Sequence, residues 1–240
     1  MTNSSVLFRL AGVLAVASAC VGCGSWGIDG NGKRVDEQRE TAAFSRIRSD
    51  CELDVQVVQG DQPSLTVSID SNLQDVVKTR VEGDTLFVDV REQIDRVVDG
   101  PHVMITIPEL SAAKLAGAGS MTLAFDEPEA PVDLYLTGSG AMRFDGTTAA
   151  LGAFLSGSGD IRLSGTTGDA TLTLSGSGAL RGRDLTASSA AIELSGSGDV
   201  SATVQDSVRV SLSGSGQIDL YGGASVDESR NTGSGDVVVH

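Results

Sequence analysis

A Gly-x-Gly triplet recurs seven times in the second half of the sequence, at nearly constant spacing. The first glycines of successive triplets lie 21, 19, 19, 20, 18 and 19 residues apart. These glycines are Gly117, Gly138, Gly157, Gly176, Gly196, Gly214 and Gly233. A unit of this length is too short for a propeller blade, which needs about 40 residues. The repeat therefore predicts a solenoid in which each unit forms one coil.

Apolar and polar residues alternate on both sides of most triplets, a pattern typical of strands with one buried face. Glycine suits the corner between such strands, because it tolerates positive φ and lets neighbouring backbones approach closely. Stacked coils would align the apolar residues into two internal ladders. One ladder comprises Leu136, Leu155, Leu174, Leu194 and Leu212, and the other comprises Met142, Ile161, Leu180, Val200, Ile218 and Val237. The predicted fold is all-β, a parallel β-solenoid with two or three short strands in each coil of about 19 residues.

The preceding segment, residues 39–113, is less regular but also alternates in hydrophobicity. Gly83-Asp84 predicts a hairpin turn between Val81 and Leu86, and residues 72–77 could hold a helical turn. We interpret residues 39–113 as irregular N-terminal coils or a cap, and residues 114–240 as the seven Gly-x-Gly coils. Both belong to one domain, since a solenoid exposes strand edges that a cap covers.

The N-terminus is typical of a secretory signal. Arg9 precedes a short apolar run, residues 10–19, which is shorter than the roughly 20 residues that a membrane-spanning helix needs. Small residues before Cys20 resemble a lipobox, which predicts a signal peptide at residues 1–19 and a lipid on Cys20. The alternative is plain signal-peptidase cleavage after Ala19. Residues 20–38 are predicted to form a glycine-rich tether.

The charge of the chain limits its partners. The formal net charge is −15, and removal of Arg9 with the leader makes it −16. Because a strongly acidic protein is repelled by phosphate backbones, we expect no nucleic-acid partner. Three cysteines do not make a disulfide framework, and Cys51 is interpreted as a small apolar residue or free thiol.

Three arginines occupy the same outward position of successive coils, three residues after the triplet. Arg143, Arg162 and Arg181 would form a ladder suited to carboxylate or sulfate groups, and Asp160 and Asp199 could lie nearby. On the other outward strand, Tyr135 and Phe154 are candidates for contact with sugar rings. The simpler interpretation is that the arginines pair with neighbouring aspartates, for which the candidates are Asp145, Asp169 and Asp184.

Other site chemistries find little support in the sequence. The residue after the triplet is acidic in only three of seven coils, so a calcium ladder is not expected. The stacked serines lack a positioned base, since the chain contains only two histidines. No zinc-binding cluster of cysteine and histidine and no phosphate-binding loop occurs. We therefore predict no metal, no cofactor and no catalytic residue.

Several segments together resemble a known family. They are Phe44-x-x-Ile47, Gly83-Asp84-x-Leu86, the Ile107-Pro108-x-Leu110 step that leads into the repeats, and the repeated Leu-Ser-Gly-Ser-Gly-Asp. With the lipoprotein-like leader, this pattern resembles the bacterial head GIN domain family of auto-transporter adhesins, over residues 39–240. The resemblance implies a single-stranded, right-handed β-helix on an exported protein, and it supplies no catalytic residues to transfer.

These patterns predict an exported, lipid-anchored envelope protein that acts as a non-catalytic, adhesin-like or structural binding module. Its partners would be the membrane, through the lipid, and an envelope or extracellular polysaccharide or protein. If the envelope is Gram-negative, Val21 after Cys20, in place of the aspartate associated with inner-membrane retention, favours the outer membrane or cell surface. The alternative function is a polysaccharide-active β-helix enzyme, a lyase or hydrolase of acidic glycans.

Overall fold

The computed structural model describes residues 27–97 and 102–240. Within this part of the chain no helix is present, and strands dominate the structure. The fold is a right-handed parallel β-helix of about 7 turns, with about 19 residues per coil, as the sequence predicted.

The repeat region contains five long strands of 16 to 19 residues, which each make most of one coil, and shorter strands at both ends. The strands are β10 (Ala112–Gly117), β11 (Ser120–Gly138), β12 (Ala141–Gly157), β13 (Asp160–Gly176), β14 (Ala179–Gly196), β15 (Asp199–Gly214), β16 (Gln217–Tyr221), β17 (Ser225–Asn231) and β18 (Asp236–Val239). All of them pair in parallel with strands of the neighbouring coils: each strand from β10 to β15 pairs with the next, β17 also pairs with β15, and β18 pairs with β16.

The five strands β11 to β15 are longer than the short strands expected from the sequence, because the hydrogen-bond ladder continues around a corner within each strand. At that corner Gly165 has φ 113° and pairs with Gly146 of the coil before. Both coils bend at the same place, so the bonds between them are kept while the direction of the strand changes.

The triplets form the other main corner. Gly157 pairs in register with Gly138 and with Gly176, and its φ is 131°. The amide of Gly178 donates a hydrogen bond of 3.1 Å to the carbonyl of Gly157. A Cβ at Gly178 would lie 2.3 Å from the carbonyl oxygen of Gly159, so a larger residue would push the coils apart.

The two predicted internal ladders are confirmed by the strand register. Leu155 pairs with Leu174 in one ladder, and Ile161 pairs with Leu180 in the other. The leucines of the first ladder and the members of the second up to Ile218 are at most 2% exposed. Burial of apolar side chains around the whole coil is the main stabilising contribution, at about 25 cal/mol per Å² of apolar surface.

The N-terminal part, as far as the structure describes it, consists of nine shorter strands. They are β1 (Ile28–Asp29), β2 (Arg34–Arg39), β3 (Arg46–Ser49), β4 (Asp54–Gln59), β5 (Ser64–Asp70), β6 (Val77–Glu82), β7 (Thr85–Val90), β8 (Ile94–Arg96) and β9 (His102–Ile107).

Strands β3 and β4 lie in parallel beneath β10 and β11, and β7 and β9 lie beneath β3 and β4. Antiparallel strands then end the stack: β6 pairs with β7, β5 with β9, and β2 with β5. Residues 39–113 thus contain both parallel coils and antiparallel strands that cover their open edge. The predicted Gly83-Asp84 hairpin turn is present, and residues 71–76 form turns.

The predicted tether, residues 20–38, extends too far into the folded domain. Residues 20–26 lie outside the described residues, but Arg34–Arg39 forms strand β2, which pairs with β5. The amide of Gly32 also donates a hydrogen bond of 2.5 Å to Asp70 Oδ1. The sequence did not predict this strand, because its backbone partners are residues 65–70, far along the chain. No helix among the described residues is long and apolar enough to cross a membrane.

Candidate anion-binding site

The segments after each triplet, such as residues 141–145 and 160–164, form one surface of the solenoid, here called the post-triplet face. Side chains alternate along these segments between the core and solvent. Arg143 pairs in register with Arg162, and Arg162 pairs with Arg181. The three side chains are 51–58% exposed and stand on successive coils, about 4.8 Å apart. The arginine stack predicted from the sequence is therefore present, whereas its role in binding stays a prediction.

The aspartate partners of these arginines differ from most of those expected. Asp160 accepts from both Arg162 and Arg181, and the Arg162 Nη2 to Asp160 Oδ2 distance is 3.0 Å. Arg143 Nη2 lies 3.9 Å from Asp145 Oδ2, as anticipated, but at the limit of an ion pair. Within the part of the chain that the structure describes, neither Asp169 nor Asp184 pairs with any of the three stacked arginines. Asp160 replaces them because it is two residues from Arg162 on the same outward face.

A fourth arginine, Arg183, was missed by the sequence reasoning. The pairing of β13 with β14 is irregular between Arg162 and Ser164, because β14 contains one extra residue there. Gly182 occupies the buried position opposite Leu163, and Arg183 is exposed. The sequence does contain an indication of this extra residue. A spacing of 20 residues between triplets is followed by one of 18, which interrupts the repeat of 19.

The four arginines surround one small cavity, of about 260 Å³. We call this cavity the arginine niche. Its lining consists of Arg143, Arg162, Leu163, Ser164, Arg181, Arg183, Asp184 and Ser201. Residues from four successive coils, including the irregular part of β14, thus converge on a space that the regular repeat would not create.

Aromatic side chains support one side of the niche. The guanidinium carbon of Arg183 lies 4.6 Å from the centre of the Tyr221 ring. Tyr221 in turn stacks on His240, with ring centres 4.4 Å apart. His240 Nε2 lies 2.9 Å from Asp219 Oδ1, and this hydrogen bond holds the pKa of Asp219 below its ordinary value. A second contribution comes from Gln217 Nε2, which donates to both oxygens of Asp219.

Tyr135 and Phe154 lie on a different surface, the pre-triplet face, formed by segments such as residues 131–137 and 150–156. They pair in register and stack, with ring centres 4.9 Å apart and an interplanar angle of 11°. Each ring therefore covers one face of the other. Burial, and after it the charge of the nearby Asp133, raise the pKa of Tyr135. The triplet corner separates this pair from the arginines, so the structure does not unite the five predicted residues in one site.

The remaining candidate groups offer less chemistry. Among residues 27–97 and 102–240, no group of three acidic, histidine or cysteine side chains is arranged to hold a metal. Cys51 is a buried free thiol that lies 3.2 Å from Ser49 Oγ, and burial raises its pKa. Cys20, the predicted lipidation site, lies outside the described residues, as does Cys23.

Comparison with known proteins decides the family. The family described as "Putative auto-transporter adhesin, head GIN domain" matches residues 43–224 of the chain. The chain belongs to the head GIN domain family. The match covers the whole arginine niche, Tyr135, Phe154 and Tyr221, but not Cys20 or His240. No curated protein matches the chain.

Solved structures share the head GIN fold. A "putative adhesin" from Bacteroides fragilis aligns with a TM-score of 0.78 at 19% identity, over 89% of this chain and 99% of that one. A "putative lipid binding protein" from Parabacteroides distasonis gives a TM-score of 0.70 at 24% identity, over the same shares. A "putative adhesin" from Parabacteroides merdae gives 0.70 at 20% identity, again over 89% and 99%. At these identities the likeness concerns the fold alone.

Proposed function

We propose that this head GIN protein is exported, anchored by a lipid on Cys20, and displayed at the cell envelope as a non-catalytic, adhesin-like module. Its ligand is an acidic polysaccharide, bound along the post-triplet face. The observation that carries the proposal is the in-register stack of Arg143, Arg162 and Arg181 on an otherwise acidic molecule. The family name and the lipobox-like sequence before Cys20 support the location.

A polymer suits this surface better than a single small ligand. The arginines repeat along the solenoid axis, and the charges of an acidic polysaccharide repeat along its chain. Each guanidinium is more than half exposed, so each single contact is weak. Several weak contacts made by one polymer combine, because the second and third are intramolecular once the first is made.

One whole-cell experiment tests anchoring and binding together. Bacteria that produce the full chain are incubated with fluorescent dextran sulfate, and retained fluorescence is measured along with protein in the cell and medium fractions. We expect the wild type to retain the polymer. Cys20→Ser should release the protein into a soluble fraction. The triple variant Arg143→Ala/Arg162→Ala/Arg181→Ala should remain anchored but retain at least about tenfold less polymer.

A matched triple variant removes the same charge elsewhere. Arg46, Arg209 and Arg230 are exposed on the pre-triplet face, and their replacement with alanine should leave retention unchanged. Equal losses in both triple variants would mean that net charge, not the ladder, governs binding. An unchanged Cys20→Ser protein in the membrane fraction would refute the lipid anchor, and polymer shortened by the protein would refute the non-catalytic role.

A further inference from the structure

The coil that contains Arg183 departs from the repeat in a specific way. It has 20 residues between triplets, and the next coil has 18, so the two lengths together restore the average. The pairing of β14 is irregular on both sides, between Arg162 and Ser164 and between Gly182 and Thr186. An extra residue in one strand of a ladder is a β-bulge, and bulges redirect side chains, often beside binding sites.

The bulge is held in place by contacts with the two following coils, β15 and β16. Thr203 Oγ1 donates a hydrogen bond of 2.7 Å to the carbonyl oxygen of Arg183. On the side-chain end, Tyr221 lies beneath the guanidinium at 4.6 Å. A backbone bond and a ring contact therefore fix Arg183 at both ends, so that the guanidinium is oriented before a ligand arrives.

The niche contains more positive charge than its aspartates neutralise. Four arginines line it, and Asp184 is the one carboxylate among its lining residues. Asp160 is shared between Arg162 and Arg181, and Arg143 is 3.9 Å from Asp145. Within the described residues Arg183 contacts a ring and has no carboxylate partner. Guanidinium donors thus remain free for an anion.

The number and direction of these donors distinguish between kinds of anion. A carboxylate has two oxygens in one plane, which one guanidinium satisfies in a bidentate pair. A sulfate or phosphate monoester has three free oxygens in a tetrahedral arrangement, which accept from several guanidiniums at once. Donors approach the niche from three coils and from the bulge, so a planar group would leave some of them unpaired. The volume of about 260 Å³ exceeds the roughly 30 Å³ share of one water several times and has room for such a group.

We propose that the bulge makes the arginine niche a site for a sulfate or phosphate monoester carried on the polysaccharide, with Arg183 as the residue that discriminates against uronate carboxylates. This inference rests on the proposed function, since the ladder would hold the polymer while the niche selects the substituent. Binding involves no covalent step.

The test measures the affinity of the purified full chain for three polymers at equal charge density and ionic strength: dextran sulfate, phosphorylated mannan and polygalacturonate. Wild type should bind the two ester-bearing polymers at least about tenfold more tightly than polygalacturonate, because only they satisfy the extra donors. Arg183→Gln should reduce this ratio to near one and retain polygalacturonate binding through the ladder. Arg183→Lys should also lose most of the ratio, since it keeps the charge but not the planar fork.

Arg209→Gln is the matched control, because it removes one exposed arginine from β15 on the pre-triplet face. It should keep the wild-type ratio, and thermal unfolding should show that all variants are folded. Wild type that binds all three polymers alike, or Arg183→Gln that keeps the ratio, would overturn the niche and leave the ladder standing. Wild type that binds none of the polymers would overturn both proposals, and a preference for only one ester would assign the niche to that ester.

Discussion

The glycines at the triplet corners are required by contact between coils as well as by backbone conformation. Gly176 has φ 139°, and a Cβ placed on it would lie 2.3 Å from the carbonyl oxygen of Gly157. That oxygen belongs to the backbone of the coil before, and it accepts the ladder bonds of Ser177 and Gly178. It cannot move away without loss of those bonds. The corner therefore constrains side-chain size as strictly as the core does.

Gly176→Ala should lower the free energy of unfolding by more than about 2 kcal/mol, because positive φ and a backbone clash both oppose the methyl group. Gly83→Ala separates these two causes. Gly83 has φ +64°, yet nothing lies within 4 Å of the position that a Cβ would occupy, so only the conformational cost of about 1 kcal/mol applies. Urea unfolding followed by circular dichroism measures both variants. Equal losses would show that contact between coils contributes nothing at the corner.

The pair of His240 and Asp219 gives a pH dependence with a definite sign. Its hydrogen bond lowers the folded-state pKa of Asp219 below the ordinary 3.8. The unfolded protein therefore binds the proton more readily, so the pair stabilises the fold above about pH 4 and this contribution disappears as the pH falls through the lowered pKa. Both side chains are partly exposed, so less than about 1 kcal/mol is involved.

His240→Ala should raise the pKa of Asp219 toward 3.8, and an NMR titration of the carboxyl carbon measures it directly. The variant should also lose less stability than wild type between about pH 5 and pH 2, since it no longer has this contribution to lose. Replacement of Gln217 with alanine should shift the same carboxyl by a smaller amount. An Asp219 titration that is identical in wild type and His240→Ala would contradict the assignment.

The strands show how far the sequence predicts this fold. Evenly spaced triplets define columns, and the columns correctly predicted both internal ladders and the stack of Arg143, Arg162 and Arg181. The alternation of apolar and polar residues could not show that each coil is one continuous strand. One bent strand and two short strands give the same alternation. The antiparallel pairing of β2 and β5 was not predicted, since their partners lie in distant segments of the chain. The hairpin of β6 and β7, by contrast, was predicted from Gly83-Asp84, because its two strands are adjacent in the sequence.

The candidate site was predictable in its regular part and not in its irregular part. The sequence alone does not assign Arg183 to a column of the repeat. A coil with one extra residue is equally consistent with that residue facing the core or facing solvent. Only the buried position of Gly182 beside Leu163 shows that Arg183 is the outward residue. Likewise, alternation places Tyr135 and Phe154 outside but does not state that their rings stack on each other. Features that interrupt the repeat are therefore located only by the structure. In this protein it is these irregular features that form the cavity.

The charge of the entire protein opposes the interaction that its arginines favour. The formal net charge is −15, so an acidic polymer is repelled while it is distant from the niche. The Debye length is about 30 Å at 0.01 M salt and about 8 Å at 0.15 M. At low salt an approaching polymer therefore interacts with most of the acidic surface. Near physiological salt it interacts mainly with the residues around the arginine niche.

Association with dextran sulfate should consequently be fastest at an intermediate salt concentration. We expect the association rate constant of the full chain to rise by about threefold or more from 0.01 to 0.15 M salt, as distant repulsion is screened. Toward 1 M, where the Debye length is about 3 Å, the dissociation rate should rise because the arginine contacts are screened as well. Surface plasmon resonance across this range measures both rates, with neutral dextran as the control for contacts that are not electrostatic. An association rate constant that falls steadily from the lowest salt concentration would contradict this prediction. It would mean that attraction by the four arginines dominates over repulsion by the surrounding acidic surface even at long range.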